Sequence, residues 1–188
     1  MANISTKAQA MPASAIRKLV PFADEAKKQG VKVYHLNLGQ PDIKSPECAL
    51  DAFRNYSKEN VSYSHSAGLM ELRKGLVEKY YKKIGIDITT DELIVTVAGS
   101  ESVNLALEIA CNPGDEVIVL EPFYTNYNTF AFMNGLTLKA IPTDIRNGFQ
   151  IPPIEEFEKA ITDRTKAILV CNPGNPTGTQ YSKESMLA

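Results

Sequence analysis

From residue 93 onward, short apolar runs alternate with segments long enough to form helices. The runs predict four strands, at residues 93–97, 116–120, 136–141 and 166–171, and the segments between them predict helices near residues 100–110, 124–133 and 153–161. Three of these strands are almost entirely apolar, which is typical of parallel strands covered by helices on both faces. The pattern therefore predicts an α/β fold with a mainly parallel sheet.

The first 90 residues show helical periodicity with one strand-like stretch. Pro21 is suited to the first turn of a short helix that Gly30 would end in a left-handed conformation, and residues 31–38 predict a strand. Ser45 is the expected N-cap of the next helix, which carries Glu47 in its first turn. Apolar residues spaced by three or four positions then predict a longer helix over residues 69–84.

Composition narrows the range of functions. The chain has 188 residues, and 20 Lys and Arg against 22 Asp and Glu give a net charge of −2, without any block of like charge that would favour nucleic acid or anionic lipid. It contains no apolar run of the length that a membrane span or a secretory signal needs. We therefore expect neither nucleic-acid nor membrane partners.

The cysteines and histidines do not predict a disulfide framework or a metal site. Cys48, Cys111 and Cys171 are odd in number and form no C-x-x-C pair, so a reducing, cytoplasmic setting is expected. His35 and His65 share no carboxylate at a metal-ligand spacing, and a structural role is expected for both.

In parallel sheets ligands bind at the carboxyl ends of the strands, and the loops predicted there have unusual compositions. The first runs from Ala98 to Glu101, where Gly99 permits close approach and Ser100 can donate to an anion at a helix N-terminus. An ordinary helix cap has the same composition, so this turn alone leaves both interpretations open. It matches neither the dinucleotide-binding nor the nucleoside-triphosphate glycine pattern.

A second loop follows the last predicted strand at residues 172–178, with the sequence NPGNPTG. Its prolines fix the backbone, one X-Pro bond is a candidate cis peptide, and the loop would present the side-chain amide of Asn175 to the cleft. A surface turn also uses Asn, Pro and Gly, so composition does not separate the two interpretations.

A third loop at residues 121–127, EPFYTNY, places Tyr124 where its ring can meet an aromatic ligand, although core packing explains a single tyrosine equally well. A fourth segment at residues 63–73, YSHSAGLMELR, is by composition only a loop followed by a helix start.

Taken in order, these segments resemble one family, the fold-type I, class I/II aminotransferases that use pyridoxal 5′-phosphate. The resemblance extends from about Pro12 to Tyr181. The matching stretches are residues 36–42, 63–73, 95–100, 113–117, 121–124 and 172–178.

The resemblance implies roles for individual residues. Gly99 and Ser100 would bind the cofactor phosphate, and Tyr124 would stack on the pyridine ring. Asn175 would hydrogen-bond the phenolic oxygen of the ring and help to hold the substrate carboxylate, through a loop with a cis Asn175-Pro176 bond. The role of Glu101, an acid next to the phosphate position, is left open.

The resemblance also implies roles for two further residues in binding the substrate and the cofactor. Gly39 would lie against the substrate carboxylate. Tyr63 would reach the phosphate of a neighbouring subunit, so the resemblance implies a homodimer.

The family's Schiff-base lysine, its aspartate partner for the pyridine nitrogen and its carboxylate-binding arginine have no match in these residues. Lysines such as Lys139, Lys166 and Lys183 lack the expected small-residue context. We therefore interpret the chain as the N-terminal half of such an enzyme, with an arm and small-domain segment at residues 1–40 and the first half of the large domain at residues 41–188. The chain alone is expected to be inactive and to leave sheet edges and apolar helix faces uncovered.

The implied reaction transfers an α-amino group between an amino acid and a 2-oxo acid, with aspartate and 2-oxoglutarate preferred. Other aminotransferases and lyases of this fold share the motifs. The alternatives from other classes are a protein that binds the cofactor without catalysis and a nucleotide-binding α/β module.

Overall fold

The computed structural model describes residues 3–14, 16–57 and 60–187. Its α-helices are α1 (Thr6–Ala10), α2 (Val20–Lys28), α3 (Glu47–Arg54), α4 (Met70–Leu76), α5 (Ala98–Ala110), α6 (Asn126–Asn134), α7 (Ile154–Ala160) and α8 (Lys183–Leu187). Its strands are β1 (Glu116–Glu121), β2 (Thr137–Pro142) and β3 (Thr165–Leu169).

The three strands form a parallel sheet in the order β2-β1-β3, as the alternation of apolar runs and helices predicts. Val117 and Val119 of β1 pair with Leu138 and Ala140 of β2. Because β1 is the central strand, Val117, Ile118 and Val119 have no solvent-exposed surface. This explains why the run is continuously apolar instead of alternating.

Helices pack on both faces of the sheet, and successive residues of β1 point to opposite faces. Val117 belongs to a core shared with α5 and α6, whose other buried residues are Leu107, Cys111, Tyr127, Phe130, Ala131 and Leu136. Ile118 belongs to the opposite core, where Leu120 and Ile141 meet residues of α7 such as Phe157. The predicted fold class is confirmed.

The amino end of β1 carries a buried carboxylate with two partners. The side chain of Glu116 is 3% exposed and accepts hydrogen bonds from the Thr162 hydroxyl and the Arg164 guanidinium, both at 2.8 Å. These bonds hold the pKa of Glu116 below its usual range, with Thr162 making the larger contribution. They tie the start of β1 to the turn that precedes β3.

Replacing Glu116 by glutamine is expected to lower the thermal midpoint at pH 7 by a few degrees. A lowered folded-state pKa means that the carboxylate stabilises the fold above the unfolded-state pKa and loses this effect as pH falls through the folded-state value. The difference between the midpoints of Glu116→Gln and wild type should therefore diminish as pH falls below the ordinary glutamate pKa of about 4.3. Melting curves at pH 7, 5 and 3 check this, with Glu108→Gln at an exposed position as the control. A midpoint difference that stays constant with pH would contradict the assignment.

The predicted helix ends are partly confirmed. Pro21 lies in the first turn of α2, and Gly30 follows that helix with φ of +78°. The prediction that Ser45 caps α3 is wrong. Pro46 occupies the N-cap position, and α3 has no side-chain cap. Pro46 has an extended backbone (φ −57°, ψ 128°), so the first helical residue is Glu47. Ser45 therefore lies one position too early to be the N-cap.

The predicted helix over residues 69–84 is a continuous helical segment of changing type. α4 is followed by a π-helical stretch, Val77–Tyr81, and a 3-10 turn, Lys82–Ile84, which Gly85 ends with φ of +77°. The spacing of apolar residues predicted the extent of this segment but not its change from α-helix to π-helix and 3-10 helix.

Two predicted strands, at residues 31–38 and 93–97, are not strands in the described part of the chain. A strand exists only where a neighbour pairs with its backbone, and the three-stranded sheet does not include these segments. Apolar composition shows that a segment can be buried, whereas strand formation also depends on which partner lies beside it.

The chain divides into two compact units. One comprises residues 1–37 and 102–188 and contains the sheet, and the other comprises residues 38–101. The boundary falls within the first turns of α5. Across the described residues, no helix is both long and apolar enough to cross a membrane.

Candidate functional site

The loops that leave the carboxyl ends of the three strands border a small cleft. Its lining includes Pro122 and Phe123 after β1, Phe149 after β2, and Cys171 and Asn175 after β3. The space inside is about 20 Å³, enough for one water molecule. The sheet therefore brings the predicted loops 121–127 and 172–178 together at one edge.

The Asn175 loop is held in shape by its own hydrogen bonds. The amide of Gly174 donates to the carbonyl of Thr179, and the amide of Gly178 donates to the carbonyl of Gly174, both at 2.8 Å. The Asn172 side-chain oxygen accepts from the amide of Tyr181 at 3.1 Å. Asn175 itself is exposed at the cleft, where its amide is available to a ligand.

Several X-Pro bonds around the cleft are cis. Asn175-Pro176 is cis, as the family resemblance implies, and Asn172-Pro173 and Glu121-Pro122 are cis as well. The sequence indicated one cis bond in the Asn175 loop, whereas the structure has two there.

Tyr124 lies beside the cleft and not among its lining residues. Its ring is half-buried and meets Tyr127 edge to face at a centroid distance of 5.6 Å, and its hydroxyl accepts from the Asn126 amide at 2.6 Å. It also packs against the core shared by α5 and α6. Tyr124 thus has a packing role, and its stacking on a ligand stays a prediction.

Sequence reasoning missed two tyrosines that line the cleft. Burial, together with a hydrogen bond to Cys171, raises the pKa of Tyr127 to about 12, and burial also raises the pKa of Tyr181. Both phenols are therefore neutral at pH 7. A tyrosine inside a helix or beyond a loop carries no sequence signal that separates a cleft wall from an ordinary core position.

Gly99 and Ser100 lie in the first turn of α5, at the end of the unit that comprises residues 38–101. Ala98 has φ of +64°, Ser100 is exposed, and the space where a Gly99 side chain would lie contains no atom within 4 Å apart from the adjoining residues and backbone of the helix. The first amides of a helix have no acceptor inside it, so an anion can bind here. A phosphate group therefore fits this turn, although the turn follows an irregular segment and not the predicted strand.

The structure gives Glu101 a role that the sequence left open. Its carboxylate accepts a short hydrogen bond from the amide of Val97. The acid is thus engaged with the backbone that leads into α5.

Gly39 and Tyr63 lie in the same unit as Gly99 and Ser100, whereas Tyr124 and Asn175 lie in the unit with the sheet. The side chain of Tyr63 is fully exposed, and Gly39 is exposed with open space at its missing side chain. Each residue is accessible to a ligand or to a partner chain.

Comparison with known proteins gives consistent matches. The sequence profile of the family described as aminotransferase class I and II matches residues 31–188. The chain is 37% identical to the aspartate/prephenate aminotransferase of Thermus thermophilus, in an alignment that covers 100% of this chain and 49% of that protein. The chain thus spans about half the length of the curated relatives it matches.

Solved structures agree with these matches. An aspartate aminotransferase mutant from Thermus thermophilus superimposes with a TM-score of 0.90 at 37% identity, covering 99% of this chain and 49% of that one. An alanine aminotransferase from Pyrococcus furiosus also gives a TM-score of 0.90, at 39% identity, with coverage of 98% and 48%.

Proposed function

Because the chain belongs to the class I and II aminotransferases, we propose that the full-length protein transfers an α-amino group between an amino acid and a 2-oxo acid with pyridoxal 5′-phosphate. The observation that carries this proposal is the family match over residues 31–188, which includes all the residues singled out above for the cofactor and substrate. When bound, the cofactor acts as an electron sink that makes the proton on the substrate α-carbon acidic.

The phosphate would be held at the start of α5. Gly99 would allow the phosphate to approach the backbone, and Ser100 would donate its hydroxyl and amide. Support comes from the exposure of Ser100 and from the open space at Gly99. The positive end of the 13-residue helix would favour the phosphate charge.

Asn175 and Tyr124 would hold the pyridine ring. Asn175 would donate to the phenolic oxygen and contact the substrate carboxylate, and Tyr124 would cover one face of the ring. Support comes from the hydrogen-bonded frame that holds the Asn175 loop and from the contacts that fix the Tyr124 ring. A rigid donor loses little conformational entropy when it binds a ligand.

Substrate and assembly are also proposals. Gly39 would approach the substrate carboxylate, and Tyr63 would contact the phosphate bound to the second subunit of a cytoplasmic homodimer. The fully exposed ring of Tyr63 is free to make such a contact. We retain the division into an arm and small-domain segment, residues 1–40, and part of the large domain, residues 41–188.

We propose aspartate as the amino donor, since the Thermus thermophilus relative is named an aspartate/prephenate aminotransferase and the Thermotoga maritima relative an aspartate aminotransferase. We propose 2-oxoglutarate as the acceptor, as the family resemblance implies. The alanine aminotransferase of similar TM-score makes alanine the informative competitor. With 2-oxoglutarate and added cofactor, the full-length protein is expected to form oxaloacetate from aspartate at least about tenfold more efficiently, in kcat/KM, than pyruvate from alanine. A higher kcat/KM for alanine would reverse the substrate assignment, and no transfer from any amino acid would contradict the reaction.

A further inference from the structure

The turn before α4 packs against the segment that leads into α5, and it does so without a side chain. Gly68 has φ of +94°, and a Cβ atom at this position would lie 2.6 Å from Cβ and 2.7 Å from Cγ2 of Val95. Cβ atoms in proteins do not approach carbon so closely, because the repulsion rises steeply below contact distance. Position 68 therefore requires glycine for two reasons, its backbone angle and its contact with Val95.

Hydrogen bonds fix both sides of this contact. The amide of Val95 donates to the carbonyl of Ala67 at 3.0 Å, next to the close approach. The amide of Gly68 donates to the carbonyl of His65 at 2.8 Å, and Nδ1 of His65 accepts from the amide of Ala67 at 3.1 Å. The turn at residues 65–68 and Val95 thus form one hydrogen-bonded cluster.

A buried arginine fixes the same segment further upstream. Arg73 of α4 is 4% exposed, and its Nη1 donates to the carbonyl of Thr90 at 2.8 Å. A guanidinium buried at this depth is costly unless its donors are used. Nη1 uses the Thr90 carbonyl, whereas Nε has no hydrogen-bond partner among the described residues. The chain that leads to α5 is consequently held at Thr90 and at Val95.

Only a short stretch separates Val95 from the phosphate-binding turn. Val97 donates its amide to the Glu101 carboxylate, and Gly99 and Ser100 lie between them. Val95 and the amides at the start of α5 are therefore joined by only a short length of backbone. On the other side of the contact, Gly68 lies five residues after Tyr63 in the sequence.

We propose that Gly68 is a positioning residue for the phosphate group, because its close contact with Val95 sets the position of the Gly99-Ser100 turn. This inference rests on the proposed function, which supplies the phosphate ligand. It assigns to Gly68 a part in cofactor affinity, although Gly68 does not itself contact the cofactor.

The test compares two ligands on the full-length protein, 4′-deoxypyridoxine 5′-phosphate and 4′-deoxypyridoxine. Neither can bond covalently to a lysine, so the ratio of their dissociation constants, measured by calorimetry, reports the phosphate interaction alone. Gly68→Ala is expected to reduce the preference for the phosphorylated ligand by about tenfold or more. The reason is that the added methyl group strains the backbone at position 68 and displaces the groups that bind the phosphate. Gly75→Ala is the matched control, because Gly75 lies in α4 with open space at its missing side chain, and its ratio should stay unchanged.

Val95→Ala provides a second variant that removes atoms instead of adding them, and it decides the matter if Gly68→Ala does not fold. It is expected to reduce the ratio by about threefold, since it loosens the contact without the backbone strain. If Gly68→Ala and Val95→Ala weaken both ligands equally, or neither ligand, the positioning role is overturned while the proposed function stands. If the wild-type protein binds neither ligand, the proposed function fails, and this inference fails with it.

Discussion

Replacing Ser100 by aspartate is expected to weaken binding of pyridoxal 5′-phosphate by about two orders of magnitude or more. In the proposed site the substitution would remove a hydroxyl donor to a charged phosphate, worth about 1.5–3 kcal/mol, and would place a negative charge within a few ångströms of the phosphate. The exposure of Ser100 means that the change should leave the free energy of unfolding nearly unaffected. Titration of the apoprotein with the cofactor, followed by absorbance, measures the affinity.

Ser57→Asp is the matched control for Ser100→Asp. It adds the same charge at an exposed serine outside the candidate site, in the same unit of the chain. Its affinity for the cofactor should equal that of the wild type within about twofold. Equal affinities for both aspartate variants would mean that the start of α5 does not hold the phosphate.

The second large effect concerns the core. Ile118→Ala is expected to lower the free energy of unfolding by about 2–5 kcal/mol, because Ile118 is completely buried between the sheet and α7 and its removal leaves a cavity. This is a large share of the stability of a typical domain, about 5–15 kcal/mol. Urea unfolding curves measure the change.

Ile145→Ala controls for the loss of an isoleucine as such. Ile145 is 73% exposed in the turn after β2, so its truncation should cost less than about 0.5 kcal/mol. Similar costs at positions 118 and 145 would show that the two-sided packing of β1 does not stabilise the protein as the structure indicates.

Sequence alone predicted the elements whose formation depends on local composition. The apolar runs gave β1, β2 and β3 to within two residues at either end, and the helix-length segments between the runs gave α5, α6 and α7 to within two residues. The family was also predicted from the order of the motifs, and the comparisons confirm it. These features depend on residues close together in the chain or on ordered motifs.

What the sequence missed depends on residues far apart. Residues 31–38 and 93–97 have strand-like composition, but the sheet offers them no partner strand in the described part of the chain. The contact of Gly68 with Val95 joins positions 27 residues apart, and a glycine before a helix signals a turn without revealing what it packs against. The positions of Tyr127 and Tyr181 in the cleft lining were missed for the same reason, because only the folded chain brings these two residues together.

The candidate site was predicted as a set of loops, and the structure arranges them in two groups. The loops that carry Tyr124 and Asn175 meet at the carboxyl edge of the sheet, as expected for parallel strands. Gly99 and Ser100 lie at a helix start as predicted. The bonds of the Glu101 carboxylate and of the Thr179 hydroxyl, which donates to the Gly148 carbonyl at 2.8 Å, were not predictable from composition.

We propose that the full-length protein uses pyridoxal 5′-phosphate for amino transfer, with the covalent lysine outside residues 1–188. The measurement that tests it most directly is the intact mass of the full-length protein from its own cells after borohydride reduction, followed by peptide mapping. We predict one cofactor per chain, fixed to a lysine outside residues 1–188. An unmodified mass would contradict catalysis and favour a protein that binds the cofactor reversibly, and an adduct on a lysine within residues 1–188 would contradict the assignment of the site.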